Sequence, residues 1–123
     1  MSGESILIVD DNPLNTKLAF LLLKTEGYDI RTAVDAEQAL ALLQSYQPRL
    51  ILMDIQLPGM DGLALTRVLK ADPKRKDIII LAVTSYAMKG DEDKALEAGC
   101  DGYVTKPIDL QALLALVRKH LDK

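Results

Sequence analysis

The chain of 123 residues has one cysteine, Cys100, so no internal disulfide can form, which agrees with a reducing compartment. Cys100 reads as a small buried or half-buried side chain. No apolar run approaches the roughly 20 residues needed to span a bilayer. The first residues, Met1-Ser2-Gly3-Glu4, hold no basic stretch followed by an apolar one, so no secretory leader is expected. These absences predict a soluble, cytoplasmic protein without membrane insertion. An excess of positive charge is missing too: 15 Lys and Arg against 18 Asp and Glu leave a net charge of −3. No basic field is available for direct nucleic-acid binding, and Lys74-Arg75-Lys76 reads as a solvated loop. Internal repeats, low-complexity tracts and linkers are also lacking. The lone histidine, His120, falls in the last turn of an expected helix, where partial positive charge suits the helix dipole. It is expected at the surface and outside any chemistry.

What remains is a chain that is 49% hydrophobic and of single-domain length, so one domain over residues 1–123 with no output domain is expected. Short apolar runs alternate with longer helical patterns, the arrangement of successive βα units around a parallel sheet. Five strands are expected at 5–9, 29–33, 50–53, 78–83 and 102–105. The first, third and fourth are continuously apolar, as in a sheet covered on both faces, whereas "DIRTA" and "GYVT" are mixed and belong at the edges. With right-handed crossovers this predicts an α/β fold with a five-stranded parallel sheet of order 2-1-3-4-5.

The helices carry their own punctuation. Helix one has Pro13 near its start, Leu14, Leu18, Leu21 and Leu22 on one face, and Gly27 at its end. Helix two opens at Asp35 as N-cap with Gln38 three residues on, and stops before Pro48. Helix three spans about 62–71. Helix five opens at Asp109 and places Leu110, Leu113, Leu114, Val117 and Leu121 on one stripe. Helix four, within 88–99, offers only Leu96 and a few alanines as anchors and is the element expected to move.

In such a sheet ligands bind beyond the carboxyl ends of the strands, where the strand order reverses. Strand one runs into Asp10-Asp11, strand three into Asp54, strand four into Thr84-Ser85 and strand five into Lys106-Pro107. Each has a plain alternative: Asp11 as a helix cap, Asp54 as a turn opener, Thr84 as a backbone partner, Lys106 as an exposed charge. Four such coincidences at four strand ends of one sheet are a poorer account than one site. Three carboxylates so close repel one another unless a cation sits among them, and an oxygen-only set with room for water suits Mg²⁺. A carboxylate can attack phosphorus once a divalent cation and a cationic side chain neutralise the transferring group. Asp54 is the candidate nucleophile, Asp10 and Asp11 the candidate Mg²⁺ ligands, and Thr84 and Lys106 the candidate partners of the phosphoryl oxygens.

The blocks "ILIVDDNPLN", "LILMDIQLPGMDG" and "VTSYAMKGDEDKALEAGCDGYVTKPID" resemble the signature segments of receiver domains of two-component response regulators, nearest to the single-domain DivK type. The resemblance covers essentially the whole chain. It implies phosphorylation of Asp54 by a histidine kinase or histidine phosphotransfer protein. It further implies Mg²⁺ held by Asp11, Asp54 and the backbone carbonyl of Gln56, with Asp10 acting largely through water. Thr84 and Lys106 would grip the phosphoryl group, and Tyr103 would be the switch aromatic. Gln56 and Tyr86 would influence the acyl-phosphate lifetime. A downstream protein reader would bind the face of helix four, strand five and helix five, and the chain would be a monomer or weak homodimer.

Two rivals fit less well. A Mg²⁺-dependent phosphatase or phosphotransferase for small molecules needs a substrate pocket and a second acid placed for proton transfer, for which short loops leave little room. A flavodoxin-like cofactor binder needs a hydroxyl- and glycine-rich loop after strand one, where "DDNPLN" would repel a phosphate without metal.

Overall fold

The computed structural model describes residues 4–57, 59–84, 91–105 and 109–121. Five strands and five helices alternate along the chain: β1 (Ser5–Val9), α1 (Pro13–Thr25), β2 (Asp29–Ala33), α2 (Ala36–Leu43), β3 (Leu50–Asp54), α3 (Gly62–Ala71), β4 (Ile79–Thr84), α4 (Asp91–Ala98), β5 (Gly102–Thr105) and α5 (Leu110–Leu121). All pairings are parallel and the order is β2-β1-β3-β4-β5. The apolar strands are central and the two mixed strands are the edges, as their patterns require. β3 includes Asp54, and β4 starts and ends one residue later than its apolar run suggested. Thr84 pairs in register with Thr105, which carries the ladder past the last aliphatic residue.

Alternation along the strands divides the interior into two layers. Leu7, Val9, Ile51, Met53, Ile80 and Ala82 face α2, α3 and α4, where they meet residues such as Leu43, Leu65 and Leu69. Ile6, Ile8, Leu50, Leu52 and Leu81 face α1 and α5, where they meet Leu23, Leu113 and Val117. Each such aliphatic side chain, fully buried, contributes about 1.5–3 kcal/mol. This double coverage is why the sheet's middle is rigid enough to hold charges at its ends.

Two helices, α1 and α4, differ from their sequence patterns. Leu14, Leu18 and Leu21 do not face the core; they are 64%, 44% and 52% exposed, and α1 packs through Ala19 and Leu23. A leucine stripe at helical spacing shows that one face is apolar, yet which face meets the sheet is set by how Asn12 and Pro13 launch the helix. Asn12 is the N-cap, accepting from the amides of Leu14 and Asn15 at 2.9 and 3.1 Å. On α2, the Asp35 side chain accepts from Gln38 N and the Gln38 side chain accepts from Val34 N; the helix ends at Leu43, well before Pro48. Leu96 is 50% exposed and does not anchor α4, which is held instead by buried Ala95 and Ala98. The expected start of this helix, residues 88–90, lies outside the described residues. Along α5, Leu113, Val117 and Leu121 are buried while Leu110 and Leu114 are half-buried, and Asp109 caps its first turn. His120 is half-buried beside Gly102 of β5, closer in than a surface position.

The expected solvated loop at 74–76 is tied down. Arg75 donates to the Asp72 carboxylate at 2.8 Å and to the Leu43 carbonyl at 3.1 Å, joining the ends of α2 and α3. Lys70, at the end of α3, donates to the carbonyls of Lys76 and Ile78 at 3.1 and 2.8 Å and to the Asp101 carboxylate at 3.0 Å. Gly99, with φ of +110°, leaves room for the Lys70 methylenes; a Cβ there would lie 2.8 Å from Lys70 Cγ.

Candidate phosphoacceptor site

The strand registers bring the acids together. Val9 pairs with Met53 and Asp54 with Val83, so Asp10 and Asp54 leave neighbouring strands at one level of the sheet. One carboxylate oxygen each from Asp10, Asp11 and Asp54 lie within 4.8 Å of one another. Asp54 and Asp10 are nearly buried and Asp11 is exposed, so the cluster opens to solvent on the Asp11 side. Backbone amides set the two buried carboxylates: Asn12 N donates to Asp10 Oδ1 at 2.8 Å, and Gln56 N donates to Asp54 Oδ1 at 2.9 Å. Each acid thereby opens its own tight turn at the strand end, so the turn reading and the site reading hold together.

The loop behind Asp54 is shaped by its glycines. Gly59 has φ of +75°, in the left-handed region. Gly62 begins α3 against the strand end, its N–H donating to the Ile55 carbonyl at 3.2 Å, and a Cβ there would lie 2.2 Å from the Asp54 carbonyl oxygen. Asp61 caps α3 by accepting from Ala64 N at 2.8 Å. The bond from Gly62 to Ile55 thus brings the start of α3 back against the end of β3 while the Asp54 carboxylate stays at the sheet's rim.

Thr84 is buried at the end of β4 and follows Ile80 and Ala82 by strand alternation toward the α2-α3-α4 layer. Tyr103 on edge strand β5 is half-buried and packs against that same layer, in register with Ala82. Lys106 and Tyr86 lie outside the described residues. Asp11, which could have capped α1, does not; Asn12 does, and the sequence reading missed this although Asn before Pro is a recognised helix opening. The reading also passed over Asn15, which lines a crevice with Asp10 and Asp54. Beside the acid pair a groove of about 370 Å³ runs along α1, lined among others by Pro13, Lys17, Phe20 and Val34. It holds no acid beyond Asp10 and Asp11.

An oxygen-only set of three carboxylates, partly open to water, fits a divalent cation such as Mg²⁺, whose charge offsets their mutual repulsion. A parallel sheet of this order with an acidic cluster at its switch point is an α/β fold of the flavodoxin-like class with a candidate cation site at its strand ends. The response regulator receiver domain family matches residues 6–118, and the chain belongs to that family. It is 41% identical over 118 residues to the polar-differentiation response regulator DivK of Brucella anthropi, covering 96% of each chain. Among solved structures, chemotaxis response regulator CheY4 of Vibrio cholerae superposes with a TM-score of 0.91 at 25% identity, covering 98% of this chain and 100% of that one. The receiver domain of a sensor histidine kinase from Pseudomonas aeruginosa, solved with a magnesium ion coordinated in its active-site cleft, gives 0.89 at 31% identity, covering 99% and 100%. The chain is thus a receiver of two-component signalling, a phosphoacceptor class. No helix among the described residues is long and apolar enough to cross a membrane.

Proposed function

We propose that Asp54 is the phosphoacceptor of this receiver domain, charged by a histidine kinase or histidine phosphotransfer protein. The observation that carries this reading is the convergence of Asp10, Asp11 and Asp54 within 4.8 Å at the ends of β1 and β3. An Asp54 carboxylate oxygen bonds to phosphorus as the bond from phosphorus to the donor atom breaks, and the donor leaves with the electron pair. No proton has to move in that step when the donor is acetyl phosphate. Asp11, Asp54 and the Gln56 carbonyl would hold Mg²⁺, with Asp10 through water, and the bound ion supplies charge neutralisation for the transferring oxygens. Thr84 donates a hydrogen bond to one phosphoryl oxygen and Lys106 pairs with another. The chain catalyses only its own phosphorylation and dephosphorylation.

The output runs through α4, β5 and α5. Thr84 moving toward the phosphoryl group leaves room that Tyr103 fills from the edge strand, and α4, held by two alanines, yields first. Such a ligand shifts the population only by its differential affinity for the two states. A downstream protein reader then binds the altered face; the domain works in the cytoplasm as a monomer or weak homodimer, without contacting nucleic acid.

The test is incubation with acetyl phosphate and Mg²⁺. One acid-stable, base-labile phosphoryl group is expected, absent from Asp54→Asn; undiminished labelling of that variant would move the acceptor elsewhere. In Thr84→Ala, labelling should persist while hydrogen exchange in α4 and around Tyr103 no longer responds to beryllofluoride.

A further inference from the structure

We infer that α4 tilts about a pivot at its carboxyl end, where Gly99, Cys100 and Asp101 are each held by α3 or β4; the inference deepens the output reading above and rests on it. These residues first close the last turn of the helix: Gly99 N donates to the Leu96 carbonyl and Cys100 N to the Ala95 carbonyl, both at 3.0 Å. Each is then fastened outside it. The Gly99 backbone lies on the Lys70 stem, so that a Cβ there would stand 2.8 Å from Lys70 Cγ and 3.3 Å from Lys70 Cβ. Cys100 is buried with its Sγ 3.9 Å from Thr66 Oγ1, and that hydroxyl donates to the Gly62 carbonyl at 2.8 Å. The Asp101 carboxylate accepts from Lys70 Nζ at 3.0 Å and from Ile80 N at 2.9 Å, while Asp101 N donates to the Ile80 carbonyl at 2.7 Å.

Burial along the helix is graded the same way. Asp93 and Lys94 are exposed, and the buried anchors Ala95 and Ala98 stand in the second half. A slide of α4 along its axis would drag Gly99 across the Lys70 methylenes and pull Asp101 from its bonds to Ile80 and Lys70. A tilt about Gly99 keeps them all. Gly99 has φ of +110°, and a glycine at the end of an element readily absorbs the dihedral change that a hinge requires. The pivot is carried by α3, whose first residue, Gly62, abuts the Asp54 carbonyl. With a rise of about 1.5 Å per residue, Asp93 stands about 9 Å from Gly99 along the helix and Glu97 about 3 Å. A tilt therefore carries Asp93 about three times as far as Glu97, whereas a slide carries both equally. A reader that senses the switch through α4 has to touch its amino half.

Nitroxides attached through ketone side chains leave Cys100 in place. One is set at position 93 or 97, and its distance to a second at position 21 on α1 or position 44 after α2 is read by double electron-electron resonance; all four positions are exposed. On adding beryllofluoride in Mg²⁺, position 93 should move about three times as far as position 97. In Lys70→Met and in Asp101→Asn, which loosen the pivot from its two sides, that ratio should fall toward one. Equal movement in the parent overturns the inference, as does larger movement at position 97, or stillness at both in a parent whose Asp54 takes up a phosphoryl group from acetyl phosphate. A ratio unchanged in both variants overturns it as well, because Lys70 and Asp101 then do not hold the pivot. Where a variant does not fold, the parent's ratio decides. A parent that takes up no phosphoryl group sinks the phosphoacceptor reading itself, and the pivot with it.

Discussion

Replacing Gly62 with alanine sets two effects of opposite sign against each other. On helix propensity alone, glycine to alanine at the start of α3 stabilises by up to about 1 kcal/mol. The new methyl would meet backbone: 2.2 Å from the Asp54 carbonyl oxygen, 2.7 Å from Ile55 Cα and 2.9 Å from the Asp54 carbonyl carbon. Contacts below 3.0 Å are essentially never seen, so α3 and the end of β3 must part by about 0.8 Å, the gap between 2.2 and 3.0 Å. No flexible side chain can absorb that movement. It stretches the bond from Gly62 N to the Ile55 carbonyl, and Ile55 is itself bound to Val83 of β4 at 3.1 Å. Overpacking of this kind costs about 1–3 kcal/mol, and a rigid backbone on both sides places this case at the upper end. The net expectation is a loss of about 2 kcal/mol, or roughly 8 °C in melting temperature for a domain of this size. Since Asp54 is one of the displaced residues, its labelling by acetyl phosphate should also slow, on the order of tenfold or more. Urea titration and a labelling time course read the two effects. A variant as stable as the parent and labelled at the same rate would show that the strand end is more yielding than double coverage of the sheet implies.

The crowded acids give a second expectation: in EDTA, Asp54→Asn should melt higher than the parent by about 1–2 kcal/mol, since like charges within 4.8 Å repel at that scale in a partly solvated site. Mg²⁺ should raise the parent's melting temperature by binding the folded state and raise the variant's less; the reverse order would place the cation elsewhere. Lys70→Met keeps the methylenes over Gly99 but removes three hydrogen bonds from Nζ, so a loss of about 1–3 kcal/mol is expected in urea; no loss would mean that water replaces the ammonium. Burial pushes the Cys100 thiol up, the hydrogen bond to Thr66 lowering it less, and burial likewise raises the Tyr46 hydroxyl. Stability should therefore be level below the ordinary thiol value and fall as pH rises through it, because the unfolded chain releases the proton first. In Cys100→Ala the fall should begin only near the ordinary tyrosine value; an unchanged profile would remove the thiol as its cause.

The sequence by itself determined the strand order and the acid cluster, for a simple reason. Continuous apolar runs can only be central strands, mixed runs can only be edges, and a charged residue directly after a buried strand has to emerge at its end. Those rules need no knowledge of neighbours. The tertiary structure alone decided which way the helices face and what the loops hold. The leucines of α1 satisfy a helical stripe, yet Ala19 and Leu23 meet the sheet, because close approach of α1 to β1 and β3 favours a small residue there. Leu96 reads as an anchor and is half exposed, while Ala95 and Ala98 beside it are buried. Arg75 reads as a solvated charge and instead fastens the end of α2 to that of α3, as Lys70 fastens α3 to the residues just before β4 and β5; their partners are mostly backbone carbonyls, which carry no mark in a sequence. Asn15 belongs with these: its contact with the acid crevice follows from the pitch of α1 and the register of β1 against β3, and neither is written in the residues around it.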